Sequence, residues 1–152
     1  MKVRRSQGGW QLVPPPCALA RVDDLDEVDA MLEAGEVELA REELRYLLQE
    51  CPDFLAAHQK LGEIAAELDD MPLARAHFGH VFDLVRKALS GEARNGTLPY
   101  GLVDNRVGHE SGKGLAYALR ALGNDDMARD VVEQLLAWDA SDPLNLRAWR
   151  DG

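Results

Sequence analysis

Four histidines, two cysteines and one glycine-lysine stretch hold most of the reactive chemistry in this chain. His77 and His80 are spaced i, i+3, which on a helix puts both imidazoles on one face, where two ring nitrogens can share a metal ion. His58 and His109 lie elsewhere, and no spacing identifies a third ligand. The plainer reading is packing or surface histidine. Cys17 and Cys51 lack metal-ligand spacing and are too few for a disulfide scaffold, so they read as two reduced thiols. The stretch GHESGKG, residues 108–114, looks at first like a loop that cradles phosphate. A Walker A loop needs four residues between its glycines, a Ser or Thr after its lysine and a buried strand before it. Here Gly108 and Gly112 enclose three residues, Gly114 follows Lys113, and Asp104-Asn105-Arg106 precedes the motif. No Ser-His-Asp set or activated cysteine can be assembled. The paired acids Asp69-Asp70 and Asp125-Asp126 sit in turns before helices, where they match the positive helix end. No catalytic residue, metal ligand or cofactor is assigned, and the expectation is a protein that is not an enzyme.

Those residues need a frame. The 152 residues suit one domain with an arm, and 46% apolar content is that of a soluble globule. The apolar runs are far shorter than the ~20 residues of a membrane helix. Gly8-Gly9 and Pro14-Pro15-Pro16 interrupt the stretch where a secretory signal would place its apolar segment, so the expected location is cytoplasmic. The net charge of −10 is uneven. Residues 1–21 carry Lys2, Arg4, Arg5 and Arg21 and no acid, whereas residues 23–53 carry twelve acids against Arg41 and Arg45. An acidic body argues against nucleic acid as a partner. It is either a solubilising surface or a face for a basic partner, unless the basic arm folds back onto it.

Periodicity supplies the elements. Residues 35–52, 69–86 and 123–140 align on Ala40, Ala74 and Ala128. Ala40 to Ala74 is 34 residues, and Ala74 to Ala128 is 54. Each alanine is followed at i+4 by Leu44, Phe78 or Val132 and at i+7 by Leu47, Val81 or Leu135, one apolar stripe per helix. A helix precedes each: Leu25, Val28, Met31 and Leu32 in the first unit, Leu61, Ala65 and Leu68 with Ile64 in the second, and Leu115, Leu119 and Leu122 in the third. Tight turns at Ala34-Gly35, residues 69–72 and residues 123–126 make each pair antiparallel, with Pro72 suited to a first helical turn.

A 34-residue helix-turn-helix of this pattern resembles the tetratricopeptide repeat. The middle unit carries Leu61-Gly62 and Ala74-x3-Phe78, with His58, Ala65 and Arg86 in place of the consensus Trp, Tyr and Pro. The first keeps Ala40 and Pro52, and the third keeps Leu115-Ala116 and Ala128 with Gly112 at the Trp position. The resemblance covers about residues 22–142. It implies an all-α fold of antiparallel helix-hairpin repeats stacked in a right-handed α-solenoid, about three repeats plus a C-terminal capping helix. It further implies a concave groove lined by the first helix of each repeat. Carried over by register, the groove positions are Asp29 and Glu33, then Gln59, Glu63 and Glu67, then Glu110, Lys113, Tyr117 and Arg120. Some members of the family grip a terminal carboxylate with Lys and Asn; Gln59 and Glu63 stand at such places here, and the acid would repel one.

The remainder divides into an arm at residues 1–20, a repeat domain at 21–152, and within it an insert at about 90–108. The arm is Gly- and Pro-rich, with Trp10, Leu12 and Val13 as anchors. The helix before the insert is expected to run to about residue 90, where Gly91, Gly96, Pro99 and Gly101 break it. The insert is either a functional loop, with candidate contacts Leu98, Tyr100, Asp104 and Arg106, or a connector. Gly108 and Gly112 share a helix face with Leu115 and Leu119, where glycine costs about 1 kcal/mol against alanine. That cost implies a close approach, by Leu98-Pro99-Tyr100 or by Trp10. A final helix with Ser141 or Asp142 as N-cap and Pro143 in its first turn would cover the last apolar face with Leu144, Leu146 and Trp149. The functional expectation is a non-catalytic scaffold that binds a protein or peptide with basic residues, with no nucleic acid and no membrane, and self-association through the repeat ends as a further route. The alternative is a metal-dependent or accessory enzyme subunit using His77, His80 and the insert.

Overall fold

The computed structural model describes all 152 residues. The chain opens with strand β1 (Lys2–Ser6) paired antiparallel to β2 (Gly9–Val13), in a register that sets Lys2 opposite Val13 and Ser6 opposite Gly9. Gly8 turns the chain with φ +87°, a conformation that glycine adopts without the Cβ clash other residues meet. The Gly- and Pro-rich arm thus opens as a hairpin, and the fold is helical with one small sheet instead of purely α. The two-residue period places Leu12 inward, and it is fully enclosed.

Eight helices follow: α1 (Pro16–Leu19), α2 (Val22–Glu33), α3 (Val37–Glu50), α4 (Leu55–Glu67), α5 (Met71–Ala88), α6 (Arg106–Ala121), α7 (Asp125–Trp138) and α8 (Leu146–Asp151). The helices from α2 to α7 pack each on the next, α4 also touches α6, and α8 rests on α7. Turn chemistry accounts for the joints. Gly35 and Gly123 take positive φ after α2 and α6, and the Asp70 carboxylate accepts the Leu73 N–H at the start of α5. The alanine-based stripes are the packed faces: Ala40, Leu44, Leu47, Ala74, Phe78, Val81, Ala128, Val132 and Leu135 are all buried. Each fully enclosed Leu or Val there contributes about 1.5–3 kcal/mol of transfer free energy. Leu68 and Leu122 depart from their stripes; both cap the ends of their helices and stand exposed.

Two cores result. The smaller holds ten buried residues from α1 to α4, among them Val28, Leu44, Leu47, Phe54 and Leu61. The larger holds twenty-two, mostly from α5, α6 and α7, joined by Leu12 of the hairpin and by Leu98. Helix α4 lies between them, giving Leu61 and Ile64 to the first and Leu55 and Ala65 to the second.

Cys17 and Cys51 form a disulfide across 34 residues, with their Cα atoms 5.8 Å apart. This corrects the reading of two free thiols. Spacing along the chain carries no information about a partner brought near only by the fold. The bond ties α1 to the end of α3.

The insert between α5 and α6 is neither a free loop nor a bare connector. Short 3-10 turns at Gly91–Ala93 and Val103–Asn105 shape it, and Ala93, Leu98 and Asn105 are buried. The Asn105 side chain accepts the Leu12 N–H at 2.8 Å and donates to the Trp10 and Pro99 carbonyls at 2.9 Å each. One amide group thus satisfies three backbone groups from two segments. The Trp10 N–H donates to the Thr97 carbonyl, and the Leu98 N–H to the Trp138 carbonyl.

The glycines of α6 do mark close approach, but by other partners than expected. A Cβ on Gly112 would lie 2.6 Å from Leu135 Cδ2 of α7. One on Gly108 would meet Val85 at 3.3 Å and Leu98 only at 3.7 Å. Trp10 packs instead against Gly96 of the insert. The last helix starts at Leu146, later than expected, because Asp142 and Asn145 adopt positive φ. The Asp142 carboxylate still caps it, accepting the Leu146 and Arg147 N–H groups, while Pro143 stays outside. Leu146 is buried, with Leu144 and Trp149 beside it.

Candidate functional site

Helices α2, α4 and α6 present the charged positions singled out by register. Between α2 and α4, Lys60 binds Asp29 at 2.6 Å. Between α4 and α6, the Gln59 amide donates to Glu63 at 3.0 Å and to Glu110 at 3.3 Å. The other Glu110 oxygen accepts the Tyr100 hydroxyl at 3.0 Å. Arg106 completes the line: its Nε donates to the Tyr100 carbonyl at 3.2 Å, and its guanidinium lies over the Tyr100 ring. Gln59, Glu63, Tyr100, Arg106 and Glu110 therefore form one connected surface, in which α4, the insert and α6 each contribute.

The remaining candidates fall elsewhere. Lys113 lies over Tyr117, Tyr117 packs on Trp149, and Arg120 stacks on Trp149 with 3.7 Å from its guanidinium carbon to the ring centre. These residues make a second, aromatic cluster against α8. Glu33 and Glu67 are exposed, and neither takes part in a hydrogen bond or ion pair. One insert candidate is corrected, and another is tied to the hairpin. Leu98 is fully enclosed in the larger core and offers no surface to a partner. Asp104 accepts the Gln11 amide at 3.0 Å, which ties it to the hairpin.

Burial pushes the Glu63 carboxyl above its ordinary range; Gln59 and Lys60 oppose the shift, and Glu110 and Glu67 add to it. Burial and the bond to Glu110 likewise raise the Tyr100 hydroxyl, so it is no activated nucleophile. Ser111 is enclosed with its hydroxyl unpartnered, so no base activates it. The arrangement offers hydrogen-bond acceptors and negative charge, with no nucleophile-base pair.

The histidines regroup. His109 is buried in α6, its Nε2 2.6 Å from the Leu98 carbonyl, and burial lowers its basicity. His77 and His80 meet His58 across the α4–α5 hairpin, and no hydrogen bond or ring contact joins them to the insert. A signal for this lay in the sequence: His58 and His80 are each eleven residues from the turn at Asp69. In an antiparallel pair such positions face each other. Lys60 also escaped the sequence reading, since a single side chain reaching a neighbouring helix leaves no periodic trace. A groove of about 940 Å³ lies apart from the carboxylate surface, between α5 and α7, with His80 and Leu115 in its lining. No family model, curated protein or solved structure matches this chain.

Proposed function

We propose that the chain is a non-catalytic interaction module of tetratricopeptide kind, an array of helix hairpins that holds a protein segment on the face formed by its first helices. The observation that carries this reading is the Gln59 bridge, which gathers the carboxylates of Glu63 and Glu110 from two helices onto one surface. Glu67 lies close enough to raise the cost of charging Glu63. A segment with Lys or Arg side chains would relieve that cost, so the partner is a basic protein or peptide, not a nucleic acid. No helix is long and apolar enough to cross a membrane. The Cys17–Cys51 bond is of a type that reducing cytosol does not maintain in most organisms, so an oxidising compartment fits this chain better than the cytoplasm.

Affinity capture from native lysate with the wild type and a Glu63→Lys, Glu67→Lys variant tests the reading. The variant should lose prey that the wild type retains, and the retained prey should elute with rising salt. The same prey with both baits, or salt-independent retention, would overturn it. Sedimentation of the bait alone separates partner capture from self-association.

A further inference from the structure

The four histidines of the chain divide three to one. His109 is enclosed and committed to the Leu98 carbonyl. The others converge where α4 and α5 cross. His58 Nδ1 and His77 Nδ1 are 3.3 Å apart. The His58 and His80 rings lie 4.3 Å apart between centres. His80 follows His77 by one helical turn and borders the open groove between α5 and α7.

The 3.3 Å separation has a specific chemical meaning. Two imidazole nitrogens bound at ~2.0–2.1 Å to one tetrahedral ion stand about 3.3–3.4 Å from each other. His58 is also held as a ligand would be. Its Nε2–H donates to the Pro52 carbonyl at 3.1 Å, which leaves Nδ1 as the lone pair facing His77. In the metal-free protein that lone pair accepts the His77 Nδ1–H. An ion between the two nitrogens replaces this hydrogen bond, and the His77 proton moves to Nε2 through solvent, with no net loss of protons.

We propose that His58, His77 and His80 form a site for one divalent transition-metal ion of the zinc class. His58 and His77 already stand at the bite distance. No three His, Cys, Asp or Glu donors converge on one point in the structure, so His80 joins by rotation of its exposed side chain and water completes the shell. Among the flanking charges, Asp53 favours a cation near His58 and Arg45 opposes one near His77.

Cobalt(II) titration of tag-free protein, followed by visible absorption, tests the site. One equivalent should bind with the intense bands of a tetrahedral nitrogen-ligated ion, and zinc should displace it. His58→Gln and His77→Gln should each weaken binding about tenfold or more, and His80→Gln by less. Circular dichroism of each variant establishes that it is folded. Should a variant unfold, ring-proton NMR of the wild type on adding zinc gives the answer: signals of His58, His77 and His80 should move and that of His109 should not. Absence of a one-equivalent event, binding that survives the His58→Gln, His77→Gln pair, or shifts confined to the acidic surface would each overturn the proposal.

Discussion

The core under α2 and α3 encloses ten residues and has a disulfide at its edge; the core under α5, α6 and α7 encloses twenty-two and has none. A small cluster buries less apolar surface to set against the entropy of ordering its helices. Cross-linking residues 34 apart removes that entropy from the unfolded chain instead. The larger core meets a different difficulty, a long insert with its own backbone polar groups to satisfy. Asn105 solves it from inside, with three hydrogen bonds from one enclosed amide. One region is fastened covalently from its edge, the other by polar groups from its centre.

Removing each fastening tests the contrast, in descending order of effect. Replacing Cys17 and Cys51 with Ser should cost about 3–4 kcal/mol and lower Tm by roughly 10 °C. Amide exchange should rise in α2 and α3 well before it rises in α6. Uniform loss across both regions would show that the small core has no separate weakness. Asn105→Ala should cost about 2–3 kcal/mol in urea unfolding, because it strands the Leu12 N–H and two carbonyls in the interior. Its exchange signature should be the reverse, concentrated in the hairpin and insert.

Gly112→Leu probes the larger core without touching its polar groups. With Leu135 already 2.6 Å from the place of a Cβ, overpacking should cost about 2 kcal/mol in the same assay. An unchanged Tm would mean that α6 and α7 can separate freely there. The seam between the cores should respond to acid. His58 is held down to about 4 against 6.5 when unfolded, chiefly by burial and then by His80. The unfolded chain therefore takes up the proton first, and this contribution, complete above pH 6.5, is lost as pH falls toward 4. With a chelator present, and allowing for partial exposure, about 1–2 kcal/mol should disappear over that window in wild type and persist in His58→Gln.

The helix hairpins were legible because their signal is local. Ala40 with Leu44 and Leu47, and its counterparts in α5 and α7, each lie within eight consecutive residues and all are buried. Glycine crowding on α6 was legible as a cost, though not the identity of Leu135 as its cause. The rest depended on distant partners. Gln11 to Asp104 and Leu12 to Asn105 each span 93 residues, and neither leaves a period. Of the candidate surface, the α4 and α6 carboxylates followed from register. Its links through Gln59 and Tyr100 needed the distance between helices. The histidine cluster lay between these cases, readable once the hairpin at Asp69 was folded in the mind.

The hairpin has a consequence for synthesis. Its seats on Thr97 and Asn105 lie some ninety residues downstream, so it leaves the ribosome well before them. Cys51 reaches Cys17 after far less chain has emerged. Vectorial folding would therefore close the small core first, while strands β1 and β2 wait as an unmated, basic ribbon until the insert is made. The hairpin can dock only after the insert that seats it has been made.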